Sequence, residues 1–211
     1  MIFDAIREGD AEQIRTLLAA DPALANSRTP EGASLVLWAV YTRHPELVPL
    51  LLGNRPPDFF EACALGADAG IAGFLAVDRG LVEQYSADGF TALGLAAFFG
   101  HRDATRLLLD AGANPNQASG NALHVTPLHS ACSAGHAAVA GLLLQHGADP
   151  NAEESNGMPP LPTAAGTGNR EIAVLLLEAG ADRAHKSHDG RTPAAIARQY
   201  GRPEIAAELD Q

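Results

Sequence analysis

The sequence predicts an all-α solenoid of stacked helix-turn-helix units, and three features that recur at one spacing support it. Glycine recurs every 33 residues, at Gly135, Gly168 and Gly201. A Leu-Leu-Leu triplet begins at Leu142 and again at Leu175, and a Gly-Ala pair follows each triplet. Features that stay in register at one period indicate a repeat architecture, in which every unit packs on its neighbours.

The first helix of a unit is predicted most clearly after Thr126. The Thr126 hydroxyl is suited to cap the helix, and Pro127 falls at the first helical position, where its missing N–H costs nothing. Gly135 then supplies the left-handed residue with which many helices end. A short first helix is therefore predicted between Thr126 and Gly135.

The second helix of the same unit carries Val139, Leu142 and Leu143 at the spacing of one buried helix face, and Gly147 ends it. Residues 149–151, Asp-Pro-Asn, have the composition of a turn and lead into an extended loop, here called a finger. Because one such unit cannot bury its own apolar face, neighbouring units must stack into a solenoid.

The stretch Thr126 to His136, which begins Thr-Pro-Leu-His-Ser-Ala, returns in altered form in the next two units. It resembles the ankyrin repeat family, whose period is 33 residues and whose signature is Thr-Pro-Leu-His-x-Ala. The resemblance implies helix-turn-helix units with finger loops. It also implies a non-enzymatic protein-interaction module that binds a partner protein or peptide through its concave face.

The resemblance extends over the whole chain and divides it into about seven units of one domain, 1–211. Their approximate bounds are 1–27, 28–55, 56–85, 86–118, 119–152, 153–185 and 186–211. The first and last units have polar outer positions, so we expect them to act as N- and C-terminal caps of a complete array.

Four units depart from the pattern. In the second unit Arg43 replaces the turn glycine, which predicts an altered turn. From there to the next turn position the spacing falls to 23 residues, so about ten finger residues of the third unit are missing and Pro56-Pro57 leads directly into a helix. The fifth unit has a two-residue insertion near residues 120–124. In the sixth unit Pro159 and Pro162 replace the signature Thr and His, so we expect it to be less stable than its neighbours.

The charge balance narrows the class of partner. The chain has 14 basic and 25 acidic residues and a net charge of −11. This excess of negative charge disfavours nucleic acids and anionic membranes, so we expect another protein with a basic or neutral contact surface. With two cysteines and no visible secretory signal, a cytoplasmic protein and a monomer are expected.

Catalytic motifs are absent from the sequence: it contains no Gly-x-Ser-x-Gly, no phosphate-binding loop and no His-Glu-x-x-His. We therefore predict no enzyme, no catalytic residue and no cofactor. Cys63 and Cys132 are interpreted as buried residues of two first helices. Four histidines at repeated positions are interpreted as structural, namely His44, His101, His129 and His136.

The remaining candidates are positions that repeat folding does not fix: finger tips and the exposed residues of each first helix. The predicted partner-binding residues are Tyr41, Thr42, Phe90, Phe98, Phe99, Arg102, Val125, Ser133, Met158, Arg170, Arg191 and Tyr200. For Phe98 and Phe99, packing across the irregular junction of the third and fourth units is an equal alternative, and a third alternative is that one ring is buried and the other exposed.

Two alternatives to protein binding are open at this point. His185, His188 and Asp189 in the last finger have the spacing of metal ligands, although a solvated finger explains them better. A small molecule is the other alternative, with its pocket in the gap that the shortened third unit leaves.

Overall fold

The computed structural model describes residues 1–210 and confirms the predicted all-helical class. Within these residues fourteen α-helices follow one another as seven consecutive pairs, without strands. The pairs are α1 Ile2–Glu8 and α2 Ala11–Ala20, α3 Leu35–Tyr41 and α4 Val48–Leu52, α5 Phe59–Leu65 and α6 Asp68–Val77, α7 Ala92–Phe98 and α8 Arg102–Asp110, α9 Pro127–Ala134 and α10 Ala137–Gln145, α11 Pro160–Thr167 and α12 Arg170–Glu178, and α13 Pro193–Gln199 and α14 Pro203–Leu209.

The helices form two layers around one apolar core. The first helices of the pairs pack side by side from α1 to α13, and the second helices α6, α8, α10 and α12 pack in the same way. Equivalent leucines of successive pairs fill the space between the layers and are fully buried: Leu93, Leu128 and Leu161 from the first helices, and Leu108, Leu143 and Leu176 from the second. Each buried leucine contributes about 2 kcal/mol relative to an exposed one.

The predicted helix ends are present in α9. The Thr126 hydroxyl accepts a hydrogen bond from the His129 N–H, and Gly135 ends the helix at a φ of 83°. The prediction of an altered turn at Arg43 is wrong, because Arg43 has a φ of 65° and so keeps the left-handed conformation of the turn glycines. That conformation costs a non-glycine residue roughly 1 kcal/mol, and the packed helices on either side hold it in place.

The two prolines of the sixth unit have the local consequences expected of them. α11 begins after Pro159, which makes no side-chain cap hydrogen bond, while the neighbouring α9 has its threonine cap. Pro162 falls in the first turn, where an amide would have no intrahelical partner, so the helix still forms.

Side chains join each helix pair to the next through backbone groups. His101 Nε2 lies 2.9 Å from the Ala64 carbonyl oxygen of the preceding pair. Asn116 donates from Nδ2 to the Gly147 carbonyl at 2.9 Å and accepts from the Asp149 N–H at 2.7 Å. Asn151 repeats the role of Asn116 one unit later, donating to the Gly180 carbonyl at 3.0 Å and accepting from the Asp182 N–H at 2.8 Å. Position-equivalent polar residues therefore link the units of the solenoid.

The connection between α4 and α5 is short and changes how the fingers pack. Only residues 53–58 join these helices. The finger of residues 27–34 consequently lies against the finger of residues 84–91, and a β-carbon at Gly32 would collide with the Ala87 carbonyl. Fingers of the second and fourth helix pairs thus meet directly.

A buried carboxylate lies at the junction between the second and third helix pairs. Glu61, at 1% exposure, accepts hydrogen bonds from the Ser34 hydroxyl at 2.7 Å and from two Arg55 nitrogens at 2.6 and 2.8 Å. It also caps the Asp58 N–H at 2.9 Å. Burial opposes the charged form, but the hydrogen bonds from Arg55, Asp58 and Ser34 outweigh it and lower the pKa of Glu61.

Both cysteines are buried free thiols, as the sequence predicts. Burial raises the pKa of Cys132 to about 12 and raises that of Cys63 as well, so both remain protonated. None of the helices in residues 1–210 combines the length and apolar character that crossing a bilayer requires.

Candidate protein-binding groove

A cavity of about 560 Å³ opens on the face formed by the first helices and the fingers. Its lining comes from the second, fourth, fifth and sixth helix pairs and includes both apolar and polar side chains. The lining residues are Trp38, Tyr41, Phe90, Gly94, Leu95, Phe98, Leu123, Val125, His129, Ser130, Ser133, Glu154 and Thr163.

A second cavity of about 530 Å³ adjoins the first on the finger side. The two share four lining residues, so they form one continuous depression. We call this depression the aromatic groove and define it by Trp38, Tyr41, Phe90, Phe98, Leu123 and Val125.

Trp38 is the one tryptophan of the chain and stands on α3. Its indole Nε1 donates a 3.0 Å hydrogen bond to the Phe3 carbonyl, and the two rings meet edge to face with centroids 6.5 Å apart. The N-terminal helix therefore fixes the orientation of this wall of the groove, which reduces the side-chain entropy that the protein loses when a ligand binds.

Tyr41 ends the same helix and is fixed by a polar and an aromatic contact. Its hydroxyl donates a 2.8 Å hydrogen bond to the Asp88 carboxylate, which also accepts a 2.5 Å bond from the Ser86 hydroxyl. Burial and then the Asp88 charge raise the pKa of Tyr41 well above its ordinary range, so the phenol remains a donor. The ring stacks on Phe99 with centroids 5.7 Å apart.

The adjacent rings Phe98 and Phe99 have different surroundings. Phe98 is 39% exposed and lines the cavity. Phe99 is half-buried against the core, stacked on Tyr41, and meets Phe98 edge to face at 5.1 Å. One ring is thus available to a ligand and the other supports the groove from behind.

The opposite wall comes from the finger with the predicted insertion. Asn121 accepts from the Leu123 N–H at 3.1 Å and donates from Nδ2 to the Asp88 carbonyl at 2.9 Å. Leu123 remains 53% exposed although it is fully apolar. The insertion therefore presents an apolar side chain at the edge of the groove.

The polar end of the cavity is built around His129. The Thr126 N–H lies 3.3 Å from Nδ1, which therefore accepts, and Nε2 donates to the Met158 carbonyl at 3.0 Å. Burial lowers the pKa of His129, more than the hydrogen bond to Met158 raises it, so the imidazole stays neutral. Glu154 and Thr163 continue this end of the cavity.

The groove brings together five of the predicted partner-binding residues: Tyr41, Phe90, Phe98, Val125 and Ser133. The others lie outside its lining. Phe99 packs behind it, the Thr42 hydroxyl bonds back to the Trp38 carbonyl at 2.8 Å, and Met158 contributes its backbone to His129.

The remaining predicted residues lie on other parts of the surface. Arg102 is exposed at the start of α8, and Tyr200 is exposed at the end of α13. Arg170 pairs with Glu208 at 2.7 Å, and Arg191 pairs with Asp189. These four side chains do not meet the aromatic groove.

The sequence prediction missed one lining position on four of the first helices, four residues after the cap of each. It is occupied by Trp38, Leu95, Ser130 and Thr163. The residues at this position differ widely in size and polarity. A tightly packed core position does not tolerate such variation, so the variation could have identified a lining position. Leu123 and Glu154, on fingers, were also missed.

The last finger does not arrange its candidate ligands as a metal site. His185 Nε2 lies 3.0 Å from the Gly157 carbonyl oxygen, and Asp189 accepts from the Ser187 hydroxyl at 2.6 Å. Within residues 1–210 no group of three or more His, Cys, Asp or Glu side chains is placed to hold a metal ion.

The family model for ankyrin repeats (three copies) matches residues 2–117 and 59–154. Cortactin-binding protein 2 of Mus musculus is 37% identical over 108 residues, which is 48% of this chain and 7% of that protein. The protein of the same name from Oryctolagus cuniculus is 36% identical over 108 residues, 48% of this chain and 6% of that protein. The chain thus spans less than a tenth of these relatives. The matched repeats, the helix pairs and the fingers together show that the chain belongs to the ankyrin repeat family.

Proposed function

We propose that this chain is a non-enzymatic module that binds a partner protein or peptide through its concave face, with the aromatic groove at the centre. Ankyrin repeats are a protein-interaction module. The observation that carries the proposal is the convergence of exposed apolar side chains, Phe98 and Leu123, on one cavity with Trp38. Exposed apolar patches with polar rims mark interaction sites, and binding energy concentrates in such aromatic anchors.

The relatives support the class of ligand. Both are named as proteins that bind cortactin. Because the chain covers so little of their length, we take from the name a protein ligand and no particular partner.

The charge pattern supports a basic or neutral contact surface on the partner. The stretch 107–169 contains neither Lys nor Arg, whereas it contains Asp110, Asp149, Glu153 and Glu154. A cationic partner surface would be attracted to this region, so added salt should slow association. We also propose a reducing compartment, the cytoplasm, because Cys63 and Cys132 are free thiols.

The test is affinity capture from the native source with the wild-type chain and with Phe98→Ala. We expect a protein retained by the wild type to bind Phe98→Ala about 30-fold more weakly, the loss of about 2 kcal/mol typical of an aromatic anchor. Val77→Ala is the matched control, because Val77 is 90% exposed at the end of α6 and lies outside the groove. Equal affinities of wild type and Phe98→Ala, with both folded by circular dichroism, would refute the groove as the binding centre.

A small-molecule ligand is the second candidate, because the groove lies at the shortened third unit and its cavity of about 560 Å³ is within the range of small-molecule sites. A thermal-shift screen against a metabolite library tests it. A compound that stabilises the wild type but not Phe98→Ala would favour this candidate.

A further inference from the structure

The groove combines aromatic walls with a carboxylate that lacks a cation, and this combination defines a ligand chemistry. We propose that the aromatic groove receives an arginine side chain of the partner, with its guanidinium between the rings and its charge toward Glu154. The inference rests on the proposed function and deepens it, because it names the chemical group that the partner inserts.

The walls suit a flat cation on an apolar stem. Trp38, Tyr41 and Phe90 line both cavities, and Phe98 adds the exposed ring of α7. A guanidinium stacks on ring faces through cation–π attraction, and the three methylene groups of arginine cover apolar surface that is now exposed to water.

Glu154 provides the acceptor at the polar end. Glu154 lines the cavity, and no side chain within residues 1–210 hydrogen-bonds or ion-pairs with its carboxylate. Its backbone is fixed by hydrogen bonds to Met158 and from Gly157, at 3.1 and 2.9 Å. The negative charge is close enough to act on the neighbouring His129 imidazole. Glu154 is therefore half-buried on a fixed backbone, and its carboxylate is able to accept two hydrogen bonds from a ligand.

Neither Asp88 nor His129 can replace Glu154 in this role, and Glu31, which lines the finger-side cavity, is exposed to solvent. Asp88 already accepts the hydroxyl hydrogen bonds of Tyr41 and Ser86 and is buried. His129 is neutral and has both ring nitrogens engaged. None of the residues that line the two cavities is Lys or Arg. The unbalanced charge at the groove is therefore negative, which favours a cationic occupant.

Arginine fits this site better than lysine for a geometric reason. A guanidinium is planar and weakly hydrated, so it can stack on rings and donate two parallel hydrogen bonds to one carboxylate. A lysine ammonium is compact and strongly hydrated and matches neither feature. An uncharged apolar side chain would cover the rings but would leave Glu154 desolvated and unpaired, which is unfavourable.

The test begins with selection of a random peptide library on the immobilised wild-type chain. We expect arginine to be enriched at one fixed position. The best peptide is then synthesised with arginine, lysine, citrulline or norleucine at that position. Each peptide is titrated against the fluorescence of Trp38, which reports directly on the groove because it is the one tryptophan. Citrulline, which has the shape of arginine without its charge, should bind roughly tenfold more weakly.

Glu154→Gln should reduce the affinity for the arginine peptide roughly tenfold and leave the affinity for the citrulline peptide unchanged. Glu153→Gln is the matched control, since it removes the same charge one residue away, from a side chain that does not line the cavity. Equal losses in both variants would assign the effect to general charge and would overturn the proposal.

The outcomes separate this inference from the proposed function. Peptides anchored by a lysine or an apolar residue that still depend on Phe98 overturn the arginine assignment and leave the groove as a protein-binding site. A library without any enriched peptide also counts against the inference. Arginine peptides that bind the wild type, while no protein is captured from the native source, uphold the side-chain preference and remove the support for a cellular partner.

Discussion

The Tyr41 hydroxyl and the Asp88 carboxylate are joined by a 2.8 Å hydrogen bond that spans 47 residues of sequence. It connects α3 to the finger 84–91, although the α5/α6 pair lies between them in the sequence. In most repeat proteins each unit contacts only its nearest neighbours. Here the second and fourth helix pairs are in direct contact, and the aromatic groove lies at that contact.

Removing the Tyr41 hydroxyl should therefore destabilise the whole chain. Tyr41→Phe leaves the buried Asp88 with Ser86 as its remaining side-chain donor, and we expect a loss of about 2 kcal/mol in the free energy of unfolding. Urea unfolding followed by circular dichroism measures it. Tyr85→Phe is the control, since Tyr85 is 45% exposed and its hydroxyl has no hydrogen-bond partner within residues 1–210. Equal stability of the two variants would contradict the prediction.

Alanine substitutions at Phe98 and Phe99 should separate binding from folding. Phe99→Ala removes a half-buried ring stacked on Tyr41, and we expect it to lower the free energy of unfolding by about 2 kcal/mol or more. Phe98→Ala removes an exposed ring and should cost less than about 1 kcal/mol. Thermal unfolding of both variants checks the order. A larger loss in Phe98→Ala would show that its ring, too, is part of the packed core.

Arg55→Met should destabilise the chain at neutral pH. The substitution leaves the Glu61 carboxylate buried without its cation, which costs about 3 kcal/mol when a buried pair is broken. The hydrogen bonds to Glu61 hold its pKa below the ordinary 4.5 in the folded chain. Their contribution to stability is therefore fully present above pH 4.5 and is lost as the pH falls through the folded pKa.

The difference in stability between wild type and Arg55→Met should consequently be largest near pH 7 and should shrink below pH 4.5. Urea unfolding at a series of pH values tests this trend. As a control, Arg15→Met removes an arginine whose partner, Glu12, is exposed, and its effect should be small at every pH. A constant difference for Arg55→Met across the pH range would count against the role of the buried pair.

Restoring the signature cap in the sixth unit should stabilise it. The backbone at Pro159, with φ −77° and ψ 173°, is close to that of the capping Thr126, at −79° and 165°. Pro159→Thr and Pro162→His together should raise the free energy of unfolding by about 1 kcal/mol, the usual contribution of an N-cap. Thermal denaturation measures the gain, and a lower melting temperature would be the opposite of what the backbone geometry implies.

In the wild type, the amides of α11 should be less protected from hydrogen exchange than those of α9, the equivalent helix of the preceding unit. α11 lacks a side-chain cap hydrogen bond, whereas α9 has the Thr126 cap and the His129 bridge to Met158. We expect amides in 155–170 to exchange faster than those in 122–137. Hydrogen exchange followed by mass spectrometry compares the two segments, and slower exchange in 155–170 would argue against this difference.

Local features of the fold were predictable because the repeat encodes them within one unit. Thr126 and Gly135 specify the ends of one helix through short-range geometry, and the 33-residue spacing carries the same rule to other units. Arg43 shows the limit of such reasoning. Its identity suggests a different turn, yet packing of the flanking helices imposes the left-handed conformation on it.

The groove was predictable only in part, because it depends on contacts between units. The repeated exposed positions gave Tyr41, Phe98 and Ser133, which line it. Asp88 did not follow from those positions, since its role arises where the shortened connection 53–58 brings distant fingers together. No periodicity within one unit contains that information.

The short connection between α4 and α5 also limits how freely this array can be rearranged. Repeat proteins are commonly treated as interchangeable modules, from which one unit can be exchanged for a consensus copy. At the third unit that exchange would insert a finger between residues 27–34 and 84–91 and would separate Tyr41 from Asp88. We expect a chimaera with a full-length third repeat to keep its helices and lose the aromatic groove, so the proposed binding site depends on a deletion.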